Sequence, residues 1–517
     1  MKKLLILIIV GIISVFTTFS IHLDYPLPYH SDEWDHLTLV NELIERGNVE
    51  SIRAYNPYTG KVNNPNWELD YHILLSVLVN ITGIDLINFG IIFPTIVAFL
   101  LGLNTYILVN YIRKDYLEAL IAGIFVLTIK SNVTFFGPWF SVPLSYGMSQ
   151  IPLILLIFLR AIKFENKFSF WDVSFALVFL NTTLSYPPST IILVPVFVVY
   201  LLFNYSLLWD NRFKIILLII LMIFGLFIFI PIKTVLDPVG FIQLVIKTLR
   251  FGPEDPMGYT QIVYYPRYLG MLNIALVLIG IYATVSSKKD EQKILPIMLL
   301  VLLPFVVNFY FTKEIYFSPY RRVFMFNTEI LLILAGIGLA SILNFVVRIT
   351  EKKVKLYSLQ RISVQKSEVS NFGKIIRIIS VVVVLTIVLN QVNSTFFYKN
   401  KLYRIIEKKD VSPIKWLKEN TEQNVTVLAM SHVAKAITPI SNRKVVTTVR
   451  TRLESLELDR DEVIRTVEYF YRTGCDEKKG ILQRYTPDYV FSLYSIDCPF
   501  LKEVYTANGD YIYKVVL

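Results

Sequence analysis

The chain has 517 residues, of which 54% are apolar and only 18% charged, against roughly 25% charged in ordinary soluble domains. That balance excludes a string of soluble domains, because the apolar residues come in runs long enough to cross about 30 Å of hydrocarbon. The net charge of +11 does not point to nucleic acid: most Lys and Arg sit in short clusters between apolar runs, as they do in the cytoplasmic loops of membrane proteins.

The chain opens with Lys2 and Lys3, then runs apolar from Leu4 to Phe19. The run is long and no A-x-A pattern closes it, so it reads as an uncleaved first helix rather than a signal peptide. Further apolar runs predict helices over 86–112, 116–131, 147–162, 170–187, 189–209, 214–235, 267–286, 294–311, 323–347 and 375–392. With the N-terminus cytoplasmic, each inside loop is basic. Examples are Arg113 with Lys114, Arg160 with Lys163 and Lys167, Arg212 with Lys214, and Lys288 with Lys289 and Lys293. The expected fold is a polytopic α-helical membrane protein of about eleven transmembrane helices with a C-terminal extracytoplasmic α/β domain. Residues 1–392 form the transmembrane part, with a large first outside loop over 22–85, and residues 393–517 form the outside domain.

The loop 22–85 is acidic, and HSDEWDHLTLVNELIERG (residues 30–47) is its most informative stretch. Leu37, Val40, Leu43 and Ile44 share one helical face, and Gly47 ends the helix. Such a helix would lie along the membrane surface, with Asp32 and Glu33 at its N-terminus. One reading makes Asp32 the cap and gives Glu33 to the helix dipole. The other makes one carboxylate a general base that takes a proton from an acceptor as it attacks a sugar carbon. His30, Asp35 and His36, with His22 and His72 nearby, are candidate acceptor contacts or ligands of a divalent metal, without a diagnostic spacing. Residues 64–85 add a second helix at the interface.

The aromatic loop holding Phe135, Phe136, Trp139, Phe140 and Tyr146 reads first as an interfacial belt and second as a groove for sugar or prenyl chain. Arg321 and Arg322 stand at the outside start of a helix, as phosphate forks or as snorkelling anchors, and Arg267 is a weaker phosphate candidate. In the tail, SPIKWLKENT (residues 412–421) predicts a helix capped by Ser412 with Pro413 first inside it. Strands are expected over 425–430, 444–449, 488–494 and 511–516, and alternation with helices favours a mostly parallel sheet. A helical stretch covers 453–474. Asp459 and Asp461 spell D-x-D on a highly charged, solvated face. Cys475 and Cys498 form a disulfide or remain two thiols.

An Asp-Glu pair opening a helix that ends in Gly, in a large outside loop after the first helix, resembles the GT-C superfamily of membrane glycosyltransferases. Protein O-mannosyltransferases and lipid A aminoarabinose transferases carry a similar element. YHILLSVLVNITGID (residues 71–85) and SPIKWLKENTEQNVTVLAM (residues 412–430) add to the resemblance. It implies a polyprenyl- or dolichyl-phosphate sugar donor, and a glycan, lipid or protein acceptor on the extracytoplasmic face of the cell membrane. Asp32 matches the first-loop catalytic aspartate and Glu33 its neighbour. The absent WWDYG element argues against en bloc transfer of an oligosaccharide to asparagine. The alternatives are a transporter or flippase of lipid-linked glycans, or a non-catalytic membrane assembly protein. Transporters place ionisable groups near the bilayer midplane, whereas here Glu329 is the main exception within the runs.

Overall fold

The computed structural model describes residues 2–53, 56, 58–59, 68–130, 137–163, 168–216, 220, 250–251, 269–287, 289–316, 318–359, 378–379, 382–383, 385–387, 389–390, 404–449 and 460–517. The chain forms two units, Met1–Ser20 with Thr95–Trp139 and Leu144–Lys399, and Ile21–Pro94 with Phe140–Pro143 and Asn400–Leu517. The second unit therefore joins most of the first loop to the C-terminal residues.

Helices α1 (Lys2–Phe19), α2 (Ser31–Arg46), α3 (Glu50–Arg53), α4 (Leu69–Thr82), α5 (Leu86–Arg113), α6 (Tyr116–Val126), α7 (Pro143–Lys163) and α8 (Phe170–Ser185) come first. They are followed by α9 (Pro187–Ile191), α10 (Leu193–Phe203), α11 (Tyr205–Asp210), α12 (Met271–Val285), α13 (Ile294–Thr312) and α14 (Tyr320–Leu359). Among the described residues, five helices are long and apolar enough to cross a membrane: Leu4–His22, Leu86–Arg113, Pro143–Lys163, Asp290–Thr312 and Tyr320–Ile349. The runs expected at 214–235 and 375–392 lie largely outside the described residues. The run expected at 189–209 is three helical pieces, α9 to α11.

In the first unit α14 packs against α6, α12 and α13. Small residues let the backbones meet. A Cβ on Gly280 of α12 would overlap the Leu334 carbonyl, one on Gly338 would overlap that of Leu276, and one on Gly336 would press on Ala122 of α6. In an apolar surround, where no hydrophobic drive holds helices together, such close approach supplies the packing. Polar bonds lock one end of the bundle. Arg113 Nε donates to Glu118 Oε2 at 2.6 Å, and Asn344 Nδ2 donates to Asp115 Oδ2 at 3.0 Å. A two-residue antiparallel ladder joins β1 (Arg250–Phe251) to β2 (Ile315–Tyr316).

The second unit holds α15 (Val411–Asn420), α16 (Ala434–Ser441), α17 (Arg460–Phe470) and α18 (Cys475–Tyr485) around one sheet. Its strands are β3 (Thr426–Leu428), β4 (Lys444–Val445), β5 (Tyr489–Ser492), β6 (Leu501–Ala507) and β7 (Asp510–Val515), in the order β4-β3-β5-β7-β6. Leu428, Val490 and Tyr513 alternate onto one face, against Val467, Phe470 and Leu482 of α17 and α18. Helix α15 packs on β6 and β7, where Trp416 stacks on Tyr505 at 5.3 Å.

Three sequence expectations need correction. The sheet is mixed: β4, β3 and β5 are parallel, but β7 is antiparallel to both β5 and β6. The cause is local. Asn508 and Gly509 both take positive φ, 56° and 88°, and close a two-residue hairpin between Ala507 and Asp510. Ser412 does not cap α15, and Pro413 is its third residue. A 3-10 turn over Lys408–Asp410 feeds straight into the helix, and its own capping box is Glu407 with Asp410. Ser412 Oγ lies instead 3.2 Å from the Tyr505 hydroxyl. The expected cap of α2 is corrected below. Cys475 and Cys498 are joined in a disulfide across 23 residues.

Candidate active site

Helix α2 starts and stops for reasons visible in its own residues. Gly47 takes φ 59°, the left-handed region where glycine is unstrained, and its N–H reaches the Leu43 carbonyl. At the other end the capping residue is His30, not Asp32. Its Nδ1 accepts the Asp32 N–H at 3.0 Å, and Glu33 answers from the third helical position. An imidazole nitrogen thus takes the place expected of an aspartate oxygen.

This leaves the two carboxylates in opposite situations. Glu33 is 1% exposed. Its Oε2 accepts the N–H groups of Tyr29 and His30, both at 2.8 Å, and its Oε1 accepts that of Ser141 at 2.7 Å. Burial pushes its carboxyl up from 4.5 to about 7, while the three N–H groups pull the other way. The Asp32 side chain keeps 24% exposure and lies 3.5 Å from Ser31 Oγ and 3.9 Å from His30 Nδ1. Glu33 is built into the scaffold, and Asp32 keeps part of its side chain at the surface.

Because a raised carboxyl binds its proton more tightly in the folded state, the contribution of Glu33 to stability is full below about 4.5 and is lost as pH rises through about 7. Glu33→Gln removes that slope. The amide also turns NH₂ toward a backbone N–H, leaving a buried donor unpaired at a cost of about 1–3 kcal/mol. Melting curves of the purified protein at pH 5 and pH 8 check both. The wild type should lose more stability than the variant between the two values, and the variant should be the less stable at pH 5.

Asp35, one of the expected metal or acceptor contacts, points elsewhere. Its carboxylate takes the Tyr58 hydroxyl at 2.7 Å and Lys435 Nζ at 3.1 Å, with Lys435 supplied by α16. Burial raises its carboxyl to about 6, against the pull of Lys435. Asn41 Nδ2 reaches Asn442 Oδ1 at 3.2 Å, so the polar side of α2 is covered by the C-terminal residues. On another side, Leu37 fits against Gly90, where a Cβ would stand 3.0 Å from its Cδ1. His36 Nδ1 lies 3.0 Å from His72 Nε2 of α4, and burial drives His72 down to about 3, so it stays neutral. Amphipathic spacing therefore accounts for only one face of a helix that is buried throughout Glu33–Leu43.

Among the described residues, no group of three or more His, Cys, Asp or Glu side chains is arranged to hold a metal ion. The donors expected for one, His30, Asp35 and His36, are engaged in the cap, the Lys435 pair and the His72 contact. The site as described does not fit a metal.

No protein-family model matches the sequence, and no curated protein matches it. Solved structures do match, over nearly the whole chain. The oligosaccharyltransferase AglB from Archaeoglobus fulgidus, in complex with an inhibitory peptide and a dolichol-phosphate, is similar at TM-score 0.58 and 11% identity, over 95% of this chain and 69% of its own. ArnT from Cupriavidus metallidurans bound to undecaprenyl phosphate is similar at 0.55 and 11% identity, over 99% of this chain and 96% of its own. The arabinofuranosyltransferase AftD from Mycobacteria scores 0.55 at 12% identity, over 99% of this chain and 40% of its own. The chain shares the fold of these structures.

Within this fold, Asp32 and Glu33 open the first helix of the second unit, and Arg321 and Arg322 open α14 of the first. Arg322 is buried and Arg321 half-buried. Arg267, with Phe135 and Phe136, lies outside the described residues. Sequence reading missed Arg404, whose guanidinium sits 4.5 Å over the Tyr25 ring and 5.7 Å from Tyr29, in the segment leading into α2. Its Nε is buried without a hydrogen-bond partner. Tyr58, Ser141 and Lys435 were also missed. No local signal marks them, since each meets α2 across 23 to 400 residues of sequence.

Proposed function

We propose that this chain is a membrane glycosyltransferase that moves a sugar from a polyprenyl- or dolichyl-phosphate carrier to a glycan, lipid or protein acceptor at the extracytoplasmic face of the cell membrane. The observation that carries the reading is the division of labour at α2: Asp32 about a quarter exposed, Glu33 buried under three N–H donors. In the proposed step Asp32 takes the proton of the acceptor nucleophile as that atom bonds to the anomeric carbon. The bond from that carbon to the phosphate oxygen breaks, and polyprenyl phosphate leaves with the electron pair. Double displacement needs two reactive carboxylates about 5 Å apart. With Glu33 and Asp35 both engaged, the site favours a single displacement with inversion.

Glu33 is a positioning residue in this scheme. On the sequence pattern, Arg321 and Arg322 are proposed to hold the leaving phosphate, for which a guanidinium fork is suited. AglB and ArnT, solved with dolichol-phosphate and undecaprenyl phosphate, support a lipid-phosphate donor by analogy of fold. About eleven spans, a cytoplasmic N-terminus and an outside C-terminal domain complete the proposal, on the placement of basic clusters between apolar runs. The absence of WWDYG keeps en bloc transfer to asparagine out of it.

The test is reconstitution of the purified chain in proteoliposomes with a radiolabelled polyprenyl-phosphate sugar and an acceptor-rich membrane extract. Transfer of label to acceptor with release of polyprenyl phosphate is expected. Movement of intact labelled lipid between leaflets, with no polyprenyl phosphate released, would replace the enzyme by a flippase.

A further inference from the structure

A cavity lies wholly within the first unit, at the end of α5 and α7 that carries their last-turn basic residues. It has a volume of about 350 Å³ and is lined by Ile107, Asn110, Tyr111, Lys114, Tyr116 and Arg160. That size falls within the roughly 300–1,000 Å³ typical of small-ligand sites.

The charges around it do not balance. Arg113 pairs with Glu118 at 2.6 Å, Lys163 with Glu291 at 3.5 Å, Lys214 with Asp172 at 3.4 Å, and Lys293 with Asp290 at 2.7 Å. Asp115 is used as the cap of α6 and as the acceptor of Asn344. Among the described residues, Lys114 and Arg160 have no carboxylate partner, and both line the cavity. Each cation sits 4.5 Å from the centre of the Tyr111 ring, and Arg160 also stacks on Trp171 at 5.0 Å. The aromatic faces hold two like charges together without neutralising them.

Two donors remain open. Arg160 Nε and the Tyr111 hydroxyl are buried and have no hydrogen-bond partner, and Tyr111 is only 9% exposed. Buried donors of this kind are normally satisfied. The backbone adds to the case. Lys114 caps α5 at φ 60°, a left-handed position that favours glycine, with its N–H 3.0 Å from the Asn110 carbonyl. A lysine is held where glycine would be unstrained, and its ammonium lies over the cavity's aromatic floor.

We propose that this cavity binds a phosphate ester, with Lys114 and Arg160 on the phosphate oxygens and Tyr111 donating through its hydroxyl. Guanidinium and ammonium groups bind phosphate through charge-assisted hydrogen bonds, and the aromatic and aliphatic lining suits the ester's carbon part. The cavity lining includes no residue of α2, and the proposal does not depend on the glycosyl-transfer reading. The ester comes from a membrane phospholipid headgroup or from a soluble metabolite, and the experiment separates the two.

The full chain, purified and delipidated in detergent, is titrated with phosphatidylglycerol, with glycerol 3-phosphate and with uncharged diacylglycerol. Binding is read by native mass spectrometry and by the shift in melting temperature. At least one phosphate ester should bind and raise the melting temperature, while diacylglycerol should not. The double variant Lys114→Gln/Arg160→Gln should weaken that binding by about tenfold or more. Lys114→Gln alone, a change at an exposed side chain, should keep the fold and give a smaller loss. Arg212→Gln, a cation stacked on Trp209 and Phe213 outside the cavity lining, should leave binding unchanged. Phosphatidylglycerol binding alone assigns the site to lipid, and glycerol 3-phosphate binding alone assigns it to a soluble ester. If neither ester binds, or if both Lys114 variants bind as tightly as wild type, the proposal fails.

Discussion

Asp32→Asn should lower kcat for sugar transfer by about 10²–10⁴-fold while the protein stays folded and abundant. The substitution keeps the shape of the side chain and removes only its capacity to take a proton. Stability should barely move, because His30 and not Asp32 caps α2, and the Asp32 side chain is 24% exposed, far less enclosed than Glu33. What is lost is a favourable charge in the first helical turn, a matter of about 0.3–1 kcal/mol. The neighbouring variant Glu33→Gln should behave in the opposite way, with a clear loss of stability. Initial rates with a polyprenyl-phosphate sugar, together with melting curves for both variants, separate the roles. If Glu33→Gln abolishes turnover at unchanged stability while Asp32→Asn remains active, the assignment of the base is reversed.

The second large effect concerns the buried pair that ties α2 to α16. Lys435 is 1% exposed at its side chain, Asp35 is 5% exposed, and they meet at 3.1 Å. Lys435→Met leaves a buried carboxylate with only the Tyr58 hydroxyl, and should destabilise the protein by about 3–5 kcal/mol. Asp35→Leu combined with Lys435→Met should restore most of that loss, since two matched apolar groups avoid the desolvation of both ions. The sign of the pH dependence follows from the same pair. Lysine holds the Asp35 carboxyl down against burial, so removing Lys435 raises that carboxyl further. A group raised in the folded state adds stability as pH falls, so the Lys435→Met variant should recover part of its loss on acidification. Melting temperatures at pH 5 and pH 8 for the two single variants and the double variant check this. Simple additivity of the two single losses would rule out the coupling. Because Asp35 lies one helical turn from Asp32, Lys435→Met should also lower turnover.

Much of the fold was legible. The runs at 86–112, 147–162, 294–311 and 323–347 became helices of membrane length, and α2 began and ended within a residue of the stretch read for it. Where reading failed, the cause was specific. The mixed sheet turned on Asn508-Gly509, a hairpin signal present in the sequence but outweighed by the alternation of strands and helices around it. Aspartate is a common capping residue, which is why one reading makes Asp32 the cap of α2, whereas the His30 ring nitrogen caps it by accepting the N–H of Asp32 itself. Nothing local marks Arg404, because its partners Tyr25 and Tyr29 lie about 380 residues earlier.

By itself the sequence determined that this is a helical, multi-pass membrane protein with an acid-rich helix after its first span. Hydropathy and the start and stop signals of helices act within a few residues of where they are written. Only the tertiary structure decided which carboxylate is buried and which keeps part of its surface. A carboxyl's ionisation and reach depend on what is packed around it, and around Glu33 and Asp35 that packing is supplied by Ser141 and Lys435, from distant parts of the chain.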